Sequence, residues 1–119
     1  MACGPEDKGF IQWDTYKGDP ASTSFSKLDQ INLSNAQALE VAWTFSPKDA
    51  PEGSRFPKFE CNPIVVDGTL HATSAQRWLY AIDPGTGQEL WSFDPFYGKK
   101  GGGICRGVTY WQGQEEARI

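Results

Sequence analysis

Two short runs carry residue types able to do chemistry on a bound molecule. Phe59-Glu60-Cys61-Asn62-Pro63 sets a carboxylate ahead of the apolar stretch Ile64-Val65-Val66. Ile104-Cys105-Arg106-Gly107-Val108-Thr109-Tyr110-Trp111 sets a guanidinium ahead of a second strand-like stretch. A carboxylate and a guanidinium brought together suit a polar, multiply charged ligand, the guanidinium offering a planar fork of donors. The same pair can instead form an ion pair that ties two structural units together, and on residue types alone that plainer reading is the stronger. Cys61 and Cys105 flank the pair, either as inert buried thiols or, in an oxidising compartment, as a disulfide. The sole histidine, His71, lies inside a strand-like run and reads as a packing or surface residue, not a base. Lys99-Lys100-Gly101-Gly102-Gly103 lacks Walker spacing and a following helix, so it reads as a flexible connection.

The elements that must position these residues are strands. Asn62–Val66 and Thr69–Thr73 flank Asp67-Gly68, a strong hairpin signal. Trp78–Ile82 and Glu89–Phe93 flank Asp83-Pro84-Gly85-Thr86-Gly87, in which Asp can bond backbone amides, Pro presets φ and Gly permits positive φ. Residues 62–93 therefore predict a four-stranded antiparallel sheet. The stretch from Ala81 to Trp91 has the form Ala-x-Asp-x-x-x-Gly-x-x-x-Trp. A large indole on an outer strand must be covered by a neighbouring unit. This is the tryptophan-docking signature of a β-propeller blade. Trp43, in a similar Ala-Trp-Thr-Phe context, predicts the same position in another blade. Glu40–Phe45 alternates as a strand, but the loop-like Ser46–Lys58 follows it, so its partners are expected elsewhere. Gly107–Trp111 opens a further blade, with Gln112-Gly113-Gln114 beginning its first turn. Ser34 or Asn32 can cap a short helical turn near Ala36. The five tryptophans are packing residues on this reading. Blade geometry would bring Glu60 and Arg106 to one mouth of a central channel.

Bulk properties agree with this picture. Thirteen glycines, eight prolines and five tryptophans in 119 residues give an all-β profile of short strands and many turns. A net charge of −4 argues against a nucleic-acid partner. No apolar run has the roughly 20 residues of a membrane span. Residues 1–9 form a polar leader in which Cys3-Gly4 could mark a lipoprotein cleavage site and a lipid anchor at Cys3. Residues 10–119 hold one complete blade (62–93) and parts of two others. Blades need about 40–50 residues each, so the chain is expected to be an amino-terminal portion of a longer propeller.

An ordered set of motifs resembles the pyrroloquinoline quinone-dependent (quinoprotein) dehydrogenases. It comprises Trp13-x-x-Tyr16-x-Gly18-Asp19, Leu28-Asp29-Gln30-Ile31-Asn32, Leu39-Glu40-Val41-Ala42-Trp43, Asn62 through Gly68, and Arg106 through Trp111. The resemblance implies that Glu60 and Arg106 contact the quinone cofactor. It implies oxidation of a sugar or alcohol hydroxyl at that quinone, a calcium ion, and ubiquinone or a cytochrome as electron acceptor. The base and calcium ligands are expected outside this chain, which alone should be inactive. The methanol and ethanol branch carries two adjacent cysteines before this arginine, whereas here Cys105 stands alone. That is closer to the membrane-linked glucose dehydrogenase branch, although the histidine which that branch tends to carry in the loop matching Ser74–Arg77 is missing. The implied location is the bacterial periplasm, membrane-anchored if Cys3 is lipidated. The competing expectation is a non-catalytic propeller lipoprotein that scaffolds outer-membrane assembly; it has no use for Glu60 or the Arg106 run.

Overall fold

The computed structural model describes residues 12–50, 52–53, 58–99 and 103–119. The leader with Cys3 lies outside them. Four strands form an antiparallel sheet in the order β1 (Ile64–Val66), β2 (Thr69–Thr73), β3 (Leu79–Ile82), β4 (Glu89–Phe93). These are the four strands expected, and no helix interrupts them. Local chemistry sets both hairpins. Asp67 and Gly68 take φ values of 46° and 76°, the two positive angles that let a two-residue turn follow strand twist. In the β3–β4 turn, Asp83 Oδ1 accepts from the Gly85 and Thr86 amides at 2.8 and 3.0 Å, and the Gly87 amide donates to the Asp83 carbonyl at 2.8 Å.

Register divides the side chains between two faces. Ile64, His71, Ala81 and Trp91 lie in one cross-strand row, and Ala72, Tyr80 and Ser92 lie in the row on the other face. Ile64, Tyr80, Ala81 and Ile82 are buried and make the core. β1 is also closed on its outer side. The amide and carbonyl of Trp13 exchange hydrogen bonds with Val65 at 3.0 and 2.9 Å, and the Gln12 side chain bonds Asp67.

The Tyr80 face is crossed by a strap, residues 43–49. At one end the Trp43 indole donates to the Pro84 carbonyl at 2.9 Å, and its ring lies on Gly87. In the middle Phe45 meets Tyr80 edge-on, with ring centroids 5.1 Å apart. At the far end Asp49 accepts hydrogen bonds from Ser74 Oγ and, at 2.5 Å, from Tyr80 Oη, while Gln76 bonds the Asp49 carbonyl. Lys48 pairs with Glu89 at 2.7 Å and sits over Trp78. Burial, then the Asp49 hydrogen bond and charge, push the Tyr80 phenol well above its usual range. The segment Glu40–Phe45 was expected as a poorly paired strand, and it joins no ladder among the described residues. It contributes side chains to the face of the sheet rather than backbone to an edge.

Opposite the His71 face, a short hairpin pairs β5 (Trp111–Gln112) with β6 (Ala117–Arg118). The expected strand Gly107–Trp111 is thus shorter, its ladder beginning at Trp111, and the turn follows Gly113, whose amide bonds the Glu116 carbonyl at 2.8 Å. The helical turn near Ala36 is a single 3-10 turn with Asn35 at its N-cap position and no side-chain cap, so neither Ser34 nor Asn32 caps it; Asn32 instead shapes the turn just before it. Asn32 Oδ1 accepts the Ser34 amide and its carbonyl accepts the Ala36 amide.

Large apolar side chains remain uncovered, with Leu33 99%, Tyr97 86% and Val41 84% exposed. A blade stripped of its neighbours lacks the interfaces that stabilise stacked repeats. The 119-residue chain alone is therefore expected to melt broadly and to aggregate. A sharp, reversible transition of a soluble monomer in calorimetry would contradict this.

Candidate functional site

Glu60 and Arg106 converge as the propeller reading requires. Arg106 Nε lies 3.7 Å from Glu60 Oε2, and the two side chains are 76% and 41% exposed. The backbone produces this meeting. The Asn62 amide donates to the Arg106 carbonyl at 2.8 Å, and the Asn62 side chain adds a longer bond to the same oxygen at 3.4 Å. Gly107 explains how the segments come so close. A Cβ there would fall 2.7 Å from the Asn62 carbonyl oxygen, and its φ of 142° suits only glycine. The Arg-Gly pair is thus one device: glycine admits the neighbouring backbone, and arginine is delivered beside Glu60.

Magnitudes separate the two roles open to this pair. An exposed ion pair contributes about 0–1 kcal/mol, and 3.7 Å exceeds hydrogen-bond length. The Asn62–Arg106 backbone contact joins the two segments, and among the described residues the guanidinium makes no hydrogen bond, which leaves its fork open to other acceptors. Arg106 also lines a cavity of ≈ 400 Å³ with Tyr16, Gly107, Val108 and Thr109. A planar ligand bearing carboxylates and quinone oxygens would find matching donors in this exposed fork, so the residues present fit such a group. Among the described residues no three metal-ligating side chains cluster.

Cys61 and Cys105 are free, half-buried thiols. Cys61 Sγ accepts the Thr73 amide at 3.1 Å, and Cys105 Sγ contacts the Gly107 carbonyl at 3.3 Å. Their local partners give each a packing role. His71 is buried, tilted against Trp91 with centroids 5.7 Å apart. It faces a second cavity of ≈ 410 Å³ shared with Tyr110, Gln112 and Arg118. Burial lowers its pKa below the ordinary histidine value, partly offset by a hydrogen bond with the Thr69 backbone. An unfolded chain then binds a proton that the fold refuses, so stability is complete above the ordinary histidine range and falls as pH drops through it. The thermal midpoint should decline on acidification through that range, and His71→Gln should flatten the decline. An unchanged slope would place the titration elsewhere.

Sequence reading missed two residues that organise the β2–β3 turn. Asp49 lies in a loop rich in proline, glycine and charge, where nothing marks one carboxylate as the anchor of Ser74 and Tyr80. Arg77 takes a left-handed backbone, φ 67°, that an arginine does not advertise.

A four-stranded blade with a docked tryptophan strap and a second inner segment beside it defines a β-propeller. The chain belongs to the family described as "PQQ: Glucose/ethanol/alcohol dehydrogenase, beta-propeller domain", which matches residues 13–119. It is 35% identical over 108 residues to the quinohemoprotein alcohol dehydrogenase of Comamonas testosteroni, covering 86% of this chain and 14% of that protein. It is 32% identical over 109 residues to the quinoprotein glucose dehydrogenase of Escherichia coli, covering 87% and 14%. The crystal structure of the Comamonas enzyme superposes with a TM-score of 0.62 at 34% identity, over 72% of this chain and 12% of that one. The chain spans 14% of the length of these curated relatives. Alcohol and glucose dehydrogenases match to a similar degree, so the family is common to both substrates.

Proposed function

We propose that this chain supplies the first cofactor-contacting blades of a pyrroloquinoline quinone-dependent dehydrogenase that oxidises a sugar or alcohol hydroxyl, in the manner of the glucose dehydrogenases. The observation that carries the reading is the exposed guanidinium of Arg106, set beside Glu60 by the Asn62–Arg106 backbone contact. When bound, the quinone supplies the two-electron acceptor for hydroxyl oxidation. Arg106 holds an anionic edge of the cofactor, and Glu60 orients the fork from the adjacent blade. The lone Cys105 ahead of Arg106 favours the glucose-like branch over the branch with adjacent cysteines. On this reading a calcium ion is held by residues of the whole protein outside this chain. Electrons leave to ubiquinone or a cytochrome, and the enzyme works in the periplasm, tethered through Cys3.

The test is reconstitution of the whole apo-enzyme with pyrroloquinoline quinone and calcium, assayed with a dye acceptor. Glucose should turn over faster than ethanol. Faster ethanol oxidation would reverse the substrate assignment, and no cofactor uptake would remove the reading altogether.

A further inference from the structure

We propose that Arg77 is a positioning residue for Arg106, holding the connection that delivers Arg106 to the mouth; this rests on the cofactor role proposed for Arg106. Arg77 ends the β2–β3 turn, where its amide bonds the Ser74 carbonyl at 3.0 Å and its backbone adopts the left-handed conformation. A non-glycine residue is held there only where its surroundings over-determine it. The turn is fixed from beneath, since Ser74 Oγ donates to Asp49 and accepts the Trp78 amide at 3.1 Å. From this base the guanidinium touches two points of the connection after β4. Its central carbon lies 5.1 Å from the Phe96 ring centroid. The backbone at Gly103 passes beside it, so that a Cβ there would lie 3.4 Å from one terminal nitrogen. Gly103 is three residues before Arg106. Phe96 is itself pinned, its amide donating to Asp94 Oδ1 at 2.8 Å.

The side chain thus joins the turn of one blade to both described flanks of the segment that leads to Arg106. Its Nε is buried without a hydrogen-bond partner among the described residues. A buried unpaired donor has a cost, which the seat on Phe96 and the packing along Gly103 must offset. Lysine could keep the charge, but its tetrahedral ammonium cannot lie flat on the ring while backing the glycine.

The experiment is a double-mutant cycle in the whole enzyme, with cofactor affinity of the apo-protein measured by titration and its thermal midpoint followed in parallel. Arg77→Ala should weaken pyrroloquinoline quinone binding about three- to tenfold, the scale of a lost cation–π seat. Arg77→Lys should recover only part of this. In an Arg106→Ala background, Arg77→Ala should produce no further loss, because nothing is left to position. Independent, additive losses would make Arg77 a general structural residue and overturn the inference, as would unchanged affinity in Arg77→Ala. If Arg77→Ala does not fold, Phe96→Leu removes the same seat and must show the same non-additivity. The parent reading fails separately: Arg106→Ala alone would then leave affinity unchanged.

Discussion

Arg106→Ala should weaken pyrroloquinoline quinone binding to the whole apo-enzyme by roughly one to two decades, with little change in thermal midpoint. The affinity loss follows from a charge-assisted hydrogen bond, which contributes about 1.5–3 kcal/mol. The small effect on stability follows from the geometry. The guanidinium is 76% exposed and reaches Glu60 only at 3.7 Å, so its removal leaves no buried group unpaired. Its carbonyl, which holds the neighbouring blade, is untouched by the substitution. Arg106→Lys should regain part of the affinity, since a point charge keeps the attraction but loses the fork. An ion pair serving only to tie blades predicts the opposite: both variants melting earlier, with affinity nearly constant. Titrating both variants beside the wild type decides between them, and equal affinities would mean that Arg106 does not hold the cofactor.

Gly87→Ala should be among the most destabilising single substitutions in the blade. Its Cβ would lie 2.6 Å from ring atoms of Trp43, and the residue sits at φ 74°. The left-handed backbone costs about 1–2 kcal/mol and forced overpacking about 1–3 kcal/mol, so a loss of roughly 2–5 kcal/mol is expected. The source can be separated by repeating the change in a Trp43→Ala background. There the collision disappears and only the backbone share should remain. Denaturation midpoints of the four proteins provide the comparison; an equal cost in both backgrounds would show that the indole does not rest on this turn in solution.

What could be read from the sequence was what is decided locally. Asp67-Gly68 and Asp83–Gly87 name their own turns, because each needs specific φ values and side-chain acceptors within a few residues. The four strands between them followed. Glu60 and Arg106 could be brought together only through the propeller resemblance, since no spacing rule links residues in separate blades. The short ladder at Trp111 escaped, because Gly107 uses close approach to Asn62 where a regular strand was expected. Asp49 and Arg77 escaped for a related reason. Each acts through partners more than twenty residues along or in another loop, and neither residue type signals that task.

The direction of the strap's contacts has a consequence for synthesis. Trp13, Trp43, Phe45, Lys48 and Asp49 all precede Ile64, yet they close an edge and cover one face of the sheet that Ile64 begins. As the chain leaves the ribosome amino-terminus first, these partners are already made when β1 to β4 emerge. That face and edge can therefore be shielded from other nascent chains before the ring closes.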